Sequence, residues 1–393
     1  TPVTKILVKN NSIVGVETDK GKIDCEYVVL ATGMWSRQIG EKMNVSIPLY
    51  PNEHFYVITE PMKDLPKNLP VLRDYNNCLY LKEDAGKMLV GIFEPNAKPA
   101  FKNTGVVPDD FSFGELPDDF DHFEPYLQKS FHRLPMLENA GIRKFFSGPE
   151  SFTPDTQYLL GETPEIKKLF TCCGFNSIGI ASSGGAGRVT AEWMINGHIN
   201  EDLFSLDIKR FQKFHSSKKF IMERVTETLG DLYGMHWPFK QHKTSRNQII
   251  LPYQEELKKL GACFGTSGGF ERPMWYALKS EKAEYNYSFG YQNWYPSAEF
   301  ETKNTRENVG LFELSPFSKF DLEGKNVHEE LQKICTANIK DVEGRATYTQ
   351  MLNEDGGIET DVTVTCLEKN QYRVIGPAAT REHDKFHIKK HIS

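Results

Sequence analysis

The sequence predicts a mixed α/β fold followed by a β-rich region, and three observations predict it. Strand-like apolar runs alternate with turn signals and helical stretches over the first 200 residues. An apolar strand, KLFTCCGF, leads into a glycine cluster and then a helix near 185–196. From Arg306 a fresh pattern of alternating apolar residues and hairpin turns begins.

Residues 3–9, 12–18 and 23–30 run or alternate apolar, with NN (10–11) and DKG (19–21) as turns, which reads as a small β-meander. YVVLATG then predicts a buried strand ending at Gly33, followed by a helical start, MWSRQIGEKM. Strands recur at EHFYVITE, CLYLKED and KMLVGIFE. An acidic, turn-rich stretch (105–121) separates them from an amphipathic helix around HFEPYLQKSFHRLP. IRKFFSGPESF and KLFTCCGF return to strand. This order suits an antiparallel sheet inserted between two halves of a nucleotide-binding part. MERVTETLGDLY is helical, and residues 235–300 are dense in aromatics, as packing between domains requires. Residues 285–305 read as a linker region holding a domain boundary. Beyond it LN-EDGG-IE is a hairpin turn, and DVTVTC alternates strictly. KFHIKKHIS ends the sequence inside a helical pattern. The chain, which starts on Thr, is expected to be a piece of a longer one, with any targeting segment upstream.

Composition narrows the function. With 393 residues there is room for two or three domains and a sizeable core. A net charge of −6, without long basic blocks, argues against nucleic acid. The longest apolar runs, such as YVVLATGMW, fall far below the roughly 20 residues of a membrane span. Seven scattered cysteines form no CxxC pair, so neither a zinc site nor a disulfide framework is suggested and no metal is expected. The Cys172–Cys173 pair reads as small buried hydrophobes in a reducing compartment.

Within 176–193, GAGRVT is one residue short of a dinucleotide fingerprint. That fingerprint needs its first glycine directly after a strand, and here GFNSIGIASS intervenes. The spacing therefore speaks against a pyrophosphate loop, despite Asp207 about twenty residues on. Two readings remain: a turn that lets a helix pack close to a sheet, or a helix N-terminus at 185 whose free N–H groups face a developing anion.

CGFNSIGIASSGGAGRVTAEWMINGHINEDLFSLDIKRF closely resembles the end of the flavin domain in the dimethylglycine and sarcosine dehydrogenase family. The resemblance continues through HWPF, FGTSGGFERPMWYAL, YSFGYQNWYP, TRENVGLFELSPFSKF and YTQMLNEDGGIETDVTV, so it spans essentially the whole chain. It implies the C-terminal portion of a D-amino-acid-oxidase-like FAD domain (1–215), a central linker domain (216–290) and the start of an aminomethyltransferase-like domain (291–393) that binds tetrahydrofolate. The family's GxGxxG and flavin-linking His would precede Thr1. On the same resemblance, FAD would meet Val3, the strand end Ala31–Thr32–Gly33 with Trp35, and the segment Asn176, Ser177, Gly179, Ile180, Ala181, Ser182 and Gly184. There the helix N-terminus would point at the N1–C2=O edge of the flavin, where reduction leaves negative charge.

A His on a strand is often structural, but the related enzymes place a His and a Tyr against the substrate amine, which here means His54 and Tyr80. An amine gives up hydride only when unprotonated, so a proton acceptor with pKa near 7 is required. His54 is expected to assist deprotonation and Tyr80 to position the amine. Arg73 is a candidate partner for a substrate carboxylate, with a surface ion pair as its plain alternative. In the last region a strand-end Asp is often only a turn cap. The resemblance instead puts Asp361 beside the pterin and N10 of tetrahydrofolate, with Tyr348 lining the pterin pocket. Their thirteen-residue spacing fits two strands of one hairpin. Pro316–Phe317 stands where an aminomethyltransferase usually has His-Met, which favours the dehydrogenase branch.

The expected activity is therefore FAD-dependent oxidative demethylation of dimethylglycine or sarcosine, the iminium carbon being captured as 5,10-methylenetetrahydrofolate. Electrons are expected to leave through an electron-transferring flavoprotein or to oxygen. The compartment would be a bacterial cytoplasm or the mitochondrial matrix. A regulatory relative of the pyruvate dehydrogenase phosphatase type, and a folate-dependent aminomethyltransferase, are the alternatives.

Overall fold

The structure, a computed structural model, describes every residue except Asn200, Ser280 and Ser393. The chain divides into two compact units: Thr1–Ile208 with Lys213–His236 and His242–Ser245, and Lys209–Gln212 with Trp237–Gln241 and Arg246–Ser393.

In the first unit, β1 (Val3–Lys9), β2 (Ser12–Thr18) and β3 (Gly21–Asp24) form the expected meander. Asn10 and Asn11 both take positive φ, 49° and 58°, as a two-residue hairpin turn demands. The run 23–30 is not one strand. It breaks at 25–27, because β4 (Val28–Leu30) leaves the meander for another sheet. Nor is β4 wholly buried: Val29 is 38% exposed, and the strand stops at Leu30, before Gly33. A short 3-10 turn, Gly33–Trp35, then opens α1 (Ser36–Glu41).

A long excursion follows. It contributes β5 (Tyr50–Thr59), β6 (Leu72–Asp74), β7 (Leu79–Asp84), β8 (Lys87–Ile92), α2 (Phe120–Arg133) and β9 (Ile142–Phe152). The five strands make one antiparallel sheet of order β6-β7-β8-β5-β9. The chain returns through β10 (Leu159–Glu162) and β11 (Leu169–Cys173), and β11 pairs in parallel with β4. The antiparallel sheet is thus an insertion between two halves of a smaller sheet, as the sequence predicts.

Side chains alternate across a strand, so the insertion has two distinct faces. Odd-numbered Phe55, Val57, Leu79 and Leu81 bury against Phe123 and Leu127 of α2. Asp119 caps that helix by accepting from the His122 N–H at 3.1 Å.

α3 (Gly179–Asn196) follows β11 and lies on β10 and β11 through Ala186, Val189 and Trp193. It begins six residues before the predicted start, so Gly184, Gly185 and Gly187 lie inside the helix and do not open it. Packing of the Ala186–Val189–Trp193 stripe outweighs the low helix propensity of those glycines. α4 (Lys218–Asp231) covers part of the even-numbered face, seating Phe220, Ile221, Val225 and Leu229 against Tyr50 and Phe152.

The second unit contains α5 (Gln254–Lys259), the hairpin β12 (Ala262–Ser267) and β13 (Phe270–Tyr276), and α6 (Tyr295–Glu307). Residues 285–305, expected as a linker, therefore hold much of a helix. β14 (Ser318–Glu323), α7 (Val327–Ile334), β15 (Ala346–Leu352), β16 (Ile358–Glu368), β17 (Gln371–Gly376) and α8 (Arg381–His391) complete it. The sheet is antiparallel, order β14-β17-β16-β15. Val362, Val364 and Cys366 point inward from β16 to meet Leu331 of α7 and Ile388 of α8. Asp361 falls on the opposite, exposed face.

Candidate active site

The even-numbered face of the inserted sheet carries the chemistry. His54 and Tyr56 of β5, Tyr80 of β7, and Phe146, Gly148 and Glu150 of β9 line a cavity of about 550 Å³. Met34 and Trp35 border it from the turn after β4, Ser177 from the approach to α3, and Phe111–Gly114 from the acidic loop. Trp35 is tied to that loop, since its Nε1 donates to the Pro108 carbonyl at 2.9 Å.

His54 Nε2 and Tyr80 Oη lie 3.0 Å apart, with their rings 2° from parallel. β7 and β5 flank β8, so the tyrosine must reach across an intervening strand. It does so at Gly91, its register partner, where a Cβ would overlap the phenol ring. His54 pairs in register with Gly148, and the Phe146 ring occupies the room that this second glycine leaves. Phe93 closes on the imidazole at 4.8 Å between centroids. Burial pushes the His54 imidazole down to about 4 and raises the Tyr80 phenol, so both are neutral at physiological pH.

Glu150 completes the cluster. Its Oε2 lies 3.9 Å from His54 Nδ1, and both atoms are buried without a hydrogen-bond partner. Burial pushes this carboxyl up to about 7, opposed by the Ser177 hydroxyl. Glu150, Gly91 and Gly148 are not among the residues that the sequence alone picks out. The signal available was parity: in IRKFFSGPESF, Phe146, Gly148 and Glu150 share a face and alternate with Phe145.

The flavin-side expectations divide. Trp35 and Ser177 line the cavity, whereas Val3 is an exposed residue of the meander and does not. Ala31, Thr32 and Gly33 lie just past the end of β4, with Thr32 Oγ1 and Ser36 Oγ 2.8 Å apart and Gly33 at φ 53°. Asn176 is buried and committed to backbone: its Oδ1 accepts from Thr153 N at 2.9 Å, and its Nδ2 donates to the Gly174 carbonyl at 2.6 Å. Asn176 and Ser177 both take positive φ, 48° and 71°, which turns the chain into α3. Gly179, Ile180, Ala181 and Ser182 form the first turn of α3, with no side-chain cap on its N–H groups. Ile180 is 98% exposed, and nothing lies within 4 Å of where a Cβ would stand at Gly184, Gly185 or Gly187. An uncapped helix start, reached through Ser177 at the rim of the cavity, fits a flavin ring. Arg73 pairs in register with Tyr80 but lines a different cavity, of about 390 Å³, with Tyr75 and Arg133.

In the second unit the Tyr348 hydroxyl donates to Asp361 Oδ2 at 2.9 Å, from neighbouring strands β15 and β16. Tyr348 is 63% exposed.

Three family models account for nearly the whole chain: "FAD dependent oxidoreductase" over residues 1–193, "FAD dependent oxidoreductase central domain" over 196–249, and "GCVT N-terminal domain" over 253–393. Fold and family models together define a chain built of FAD-dependent-oxidoreductase domain sequence joined to a GCVT-type domain. A 4-methylaminobutanoate oxidase (formaldehyde-forming) of Paenarthrobacter nicotinovorans is 38% identical over 388 residues, 99% of this chain and 47% of that protein. Mouse pyruvate dehydrogenase phosphatase regulatory subunit is 34% identical over 400 residues, 100% of this chain and 45% of that one. Mouse sarcosine dehydrogenase is 32% identical over 381 residues, 90% and 41%. The chain belongs to the dimethylglycine and sarcosine dehydrogenase family, and spans about half the length of these relatives.

Proposed function

We propose that the chain carries the substrate pocket of an enzyme that oxidatively demethylates an N-methylated amino acid and passes the one-carbon unit to tetrahydrofolate. The observation that carries this reading is the His54–Tyr80 pair, held at 3.0 Å in a cavity that Trp35 and Ser177 also line. Bound FAD would supply the hydride acceptor, with Trp35, Ser177 and the first turn of α3 around its ring.

The chain's own residues do the rest. Tyr80 keeps its proton and donates or accepts one hydrogen bond, and the neutral His54 ring orients the amine beside it. Phe93 and the Phe111–Gly114 loop limit water around the pair. In the second unit Asp361 and Tyr348 would hold the folate that receives the methylene carbon. Dimethylglycine and sarcosine remain the substrates proposed from the sequence. The similarity to a 4-methylaminobutanoate oxidase adds a longer N-methyl amino acid to the set.

The test is anaerobic mixing of the FAD-loaded full-length protein with sarcosine, dimethylglycine and 4-methylaminobutanoate. Bleaching of the flavin by one of them is the expected result. Flavin that stays oxidised with all three overturns the catalytic reading and leaves the regulatory one.

A further inference from the structure

Two residues that line the cavity each bury a polar atom that has no hydrogen-bond partner among the described residues. His54 Nδ1 and Glu150 Oε2 are 3.9 Å apart, too far to bond each other. In the tautomer whose Nε2–H donates to Tyr80 Oη, His54 Nδ1 is an acceptor, and the substrate-bound site proposed below takes this tautomer. One tetrahedral nitrogen about 2.8 Å from each acceptor, with straight hydrogen bonds, spans about 4.6 Å. The observed 3.9 Å is shorter, so the two hydrogen bonds would be bent or the pair would open slightly around the nitrogen. Resting on the amine-oxidising reading above, we propose that Glu150 is the proton acceptor of the site, and that it and His54 Nδ1 form a two-acceptor seat for a secondary ammonium.

The chemistry is a simple proton transfer. The R–NH₂⁺–CH₃ nitrogen gives one proton to the Glu150 carboxylate, leaving a neutral secondary amine and a carboxylic acid, with no change of oxidation state. The remaining N–H donates to His54 Nδ1, which holds the nitrogen while its methyl group points away from the two acceptors. A tertiary ammonium has one N–H, so it leaves one buried acceptor unpaired, and the site discriminates against it by about tenfold or more.

The groups facing Glu150 are His54 and Tyr56 from β5, Tyr80 from β7 and Ser177 before α3. Among the described residues its charge partner within 4 Å is His54. The raised carboxyl, against an imidazole held near 4, makes Glu150 the member of the cluster whose proton exchange falls close to neutral pH.

The test follows anaerobic flavin reduction in the FAD-loaded full-length protein across pH. It compares sarcosine with dimethylglycine and 4-methylaminobutanoate with its N,N-dimethyl analogue. Methylthioacetate, whose sulfur carries neither charge nor N–H, serves as a binding control read from the flavin spectrum. Wild type should favour each secondary amine by about tenfold or more, with an inflection near pH 7. Glu150→Gln should slow the secondary amines at least about tenfold, bring the preference within about threefold and remove the inflection. Methylthioacetate affinity should change by less than about twofold. Glu150→Asp should retain an inflection at a shifted pH, and it decides the matter if Glu150→Gln takes up no flavin. A Glu150→Gln or Glu150→Asp protein with the wild-type preference and pH profile overturns the proposal. Wild type that no amine reduces overturns the underlying function instead.

Discussion

At the scale of single residues, the site depends on what is absent as much as on what is present. Tyr80 reaches His54 because Gly91 carries no side chain beneath its ring. Gly91→Ala should therefore displace the phenol, lower thermal stability by about 1–3 kcal/mol and slow flavin reduction more than Tyr80→Phe does. Tyr80→Phe keeps the ring and loses only the 3.0 Å hydrogen bond, so its stability should fall by about 1 kcal/mol or less while flavin reduction slows about tenfold or more. Calorimetry and anaerobic stopped-flow on the two variants check both expectations. His54 and Tyr80 were legible through the resemblance, since a His on a strand taken alone is more often structural. Glu150 was not, since an acidic residue in a strand reads as a solvated face until the fold shows what covers it.

At the scale of elements, α3 is the instructive case. Gly161 takes φ 96°, and a Cβ there would stand 2.7 Å from the Trp193 indole, so this glycine sets the contact between β10 and α3. Gly161→Ala should destabilise the first unit by more than about 1 kcal/mol, through strain and the lost indole contact together. Gly187→Ala, with open space around it, should instead stabilise the protein by about 0.5–1 kcal/mol. Opposite signs in thermal melts would confirm the two roles. The structure places the glycines of GAGRVT inside α3, and the sequence misplaces the helix start, because helix length here follows packing against the sheet. In the β15–β16 hairpin the spacing of Tyr348 and Asp361 was legible from the turn between them. Asp361→Asn should weaken tetrahydrofolate binding about tenfold in a titration, while leaving flavin reduction unchanged.

At the scale of the whole molecule, the buried pair His54 and Glu150 sets up opposed pH dependences. His54 titrates near 4 folded against 6.5 unfolded, so between those values the unfolded chain binds more protons and stability falls as pH falls. That contribution is about 3 kcal/mol in full. Glu150 titrates near 7 folded against 4.5 unfolded, so its contribution is complete below 4.5 and is lost as pH rises to 7. The two windows overlap with opposite slopes. Glu150→Gln should remove one of them and make the first unit lose stability more steeply from pH 6.5 to 4 than wild type, as pH-dependent melts will show.

The meander, the inserted sheet and the hairpin of the second unit follow from periodicity and turn residues, which act over a few positions of chain, whereas the break before β4, the start of α3 and the helix α6 do not. The resemblance to the family, spread along the whole sequence, was also legible from residues alone. What the tertiary structure decided was proximity. Residues 35, 54, 80, 150 and 177 are far apart in the chain, and only strand order and register bring them around one cavity. Burial then set their charges, pulling the imidazole down and the carboxyl up. Desolvation is a property of the surrounding fold, so no reading of local sequence assigns the proton to Glu150.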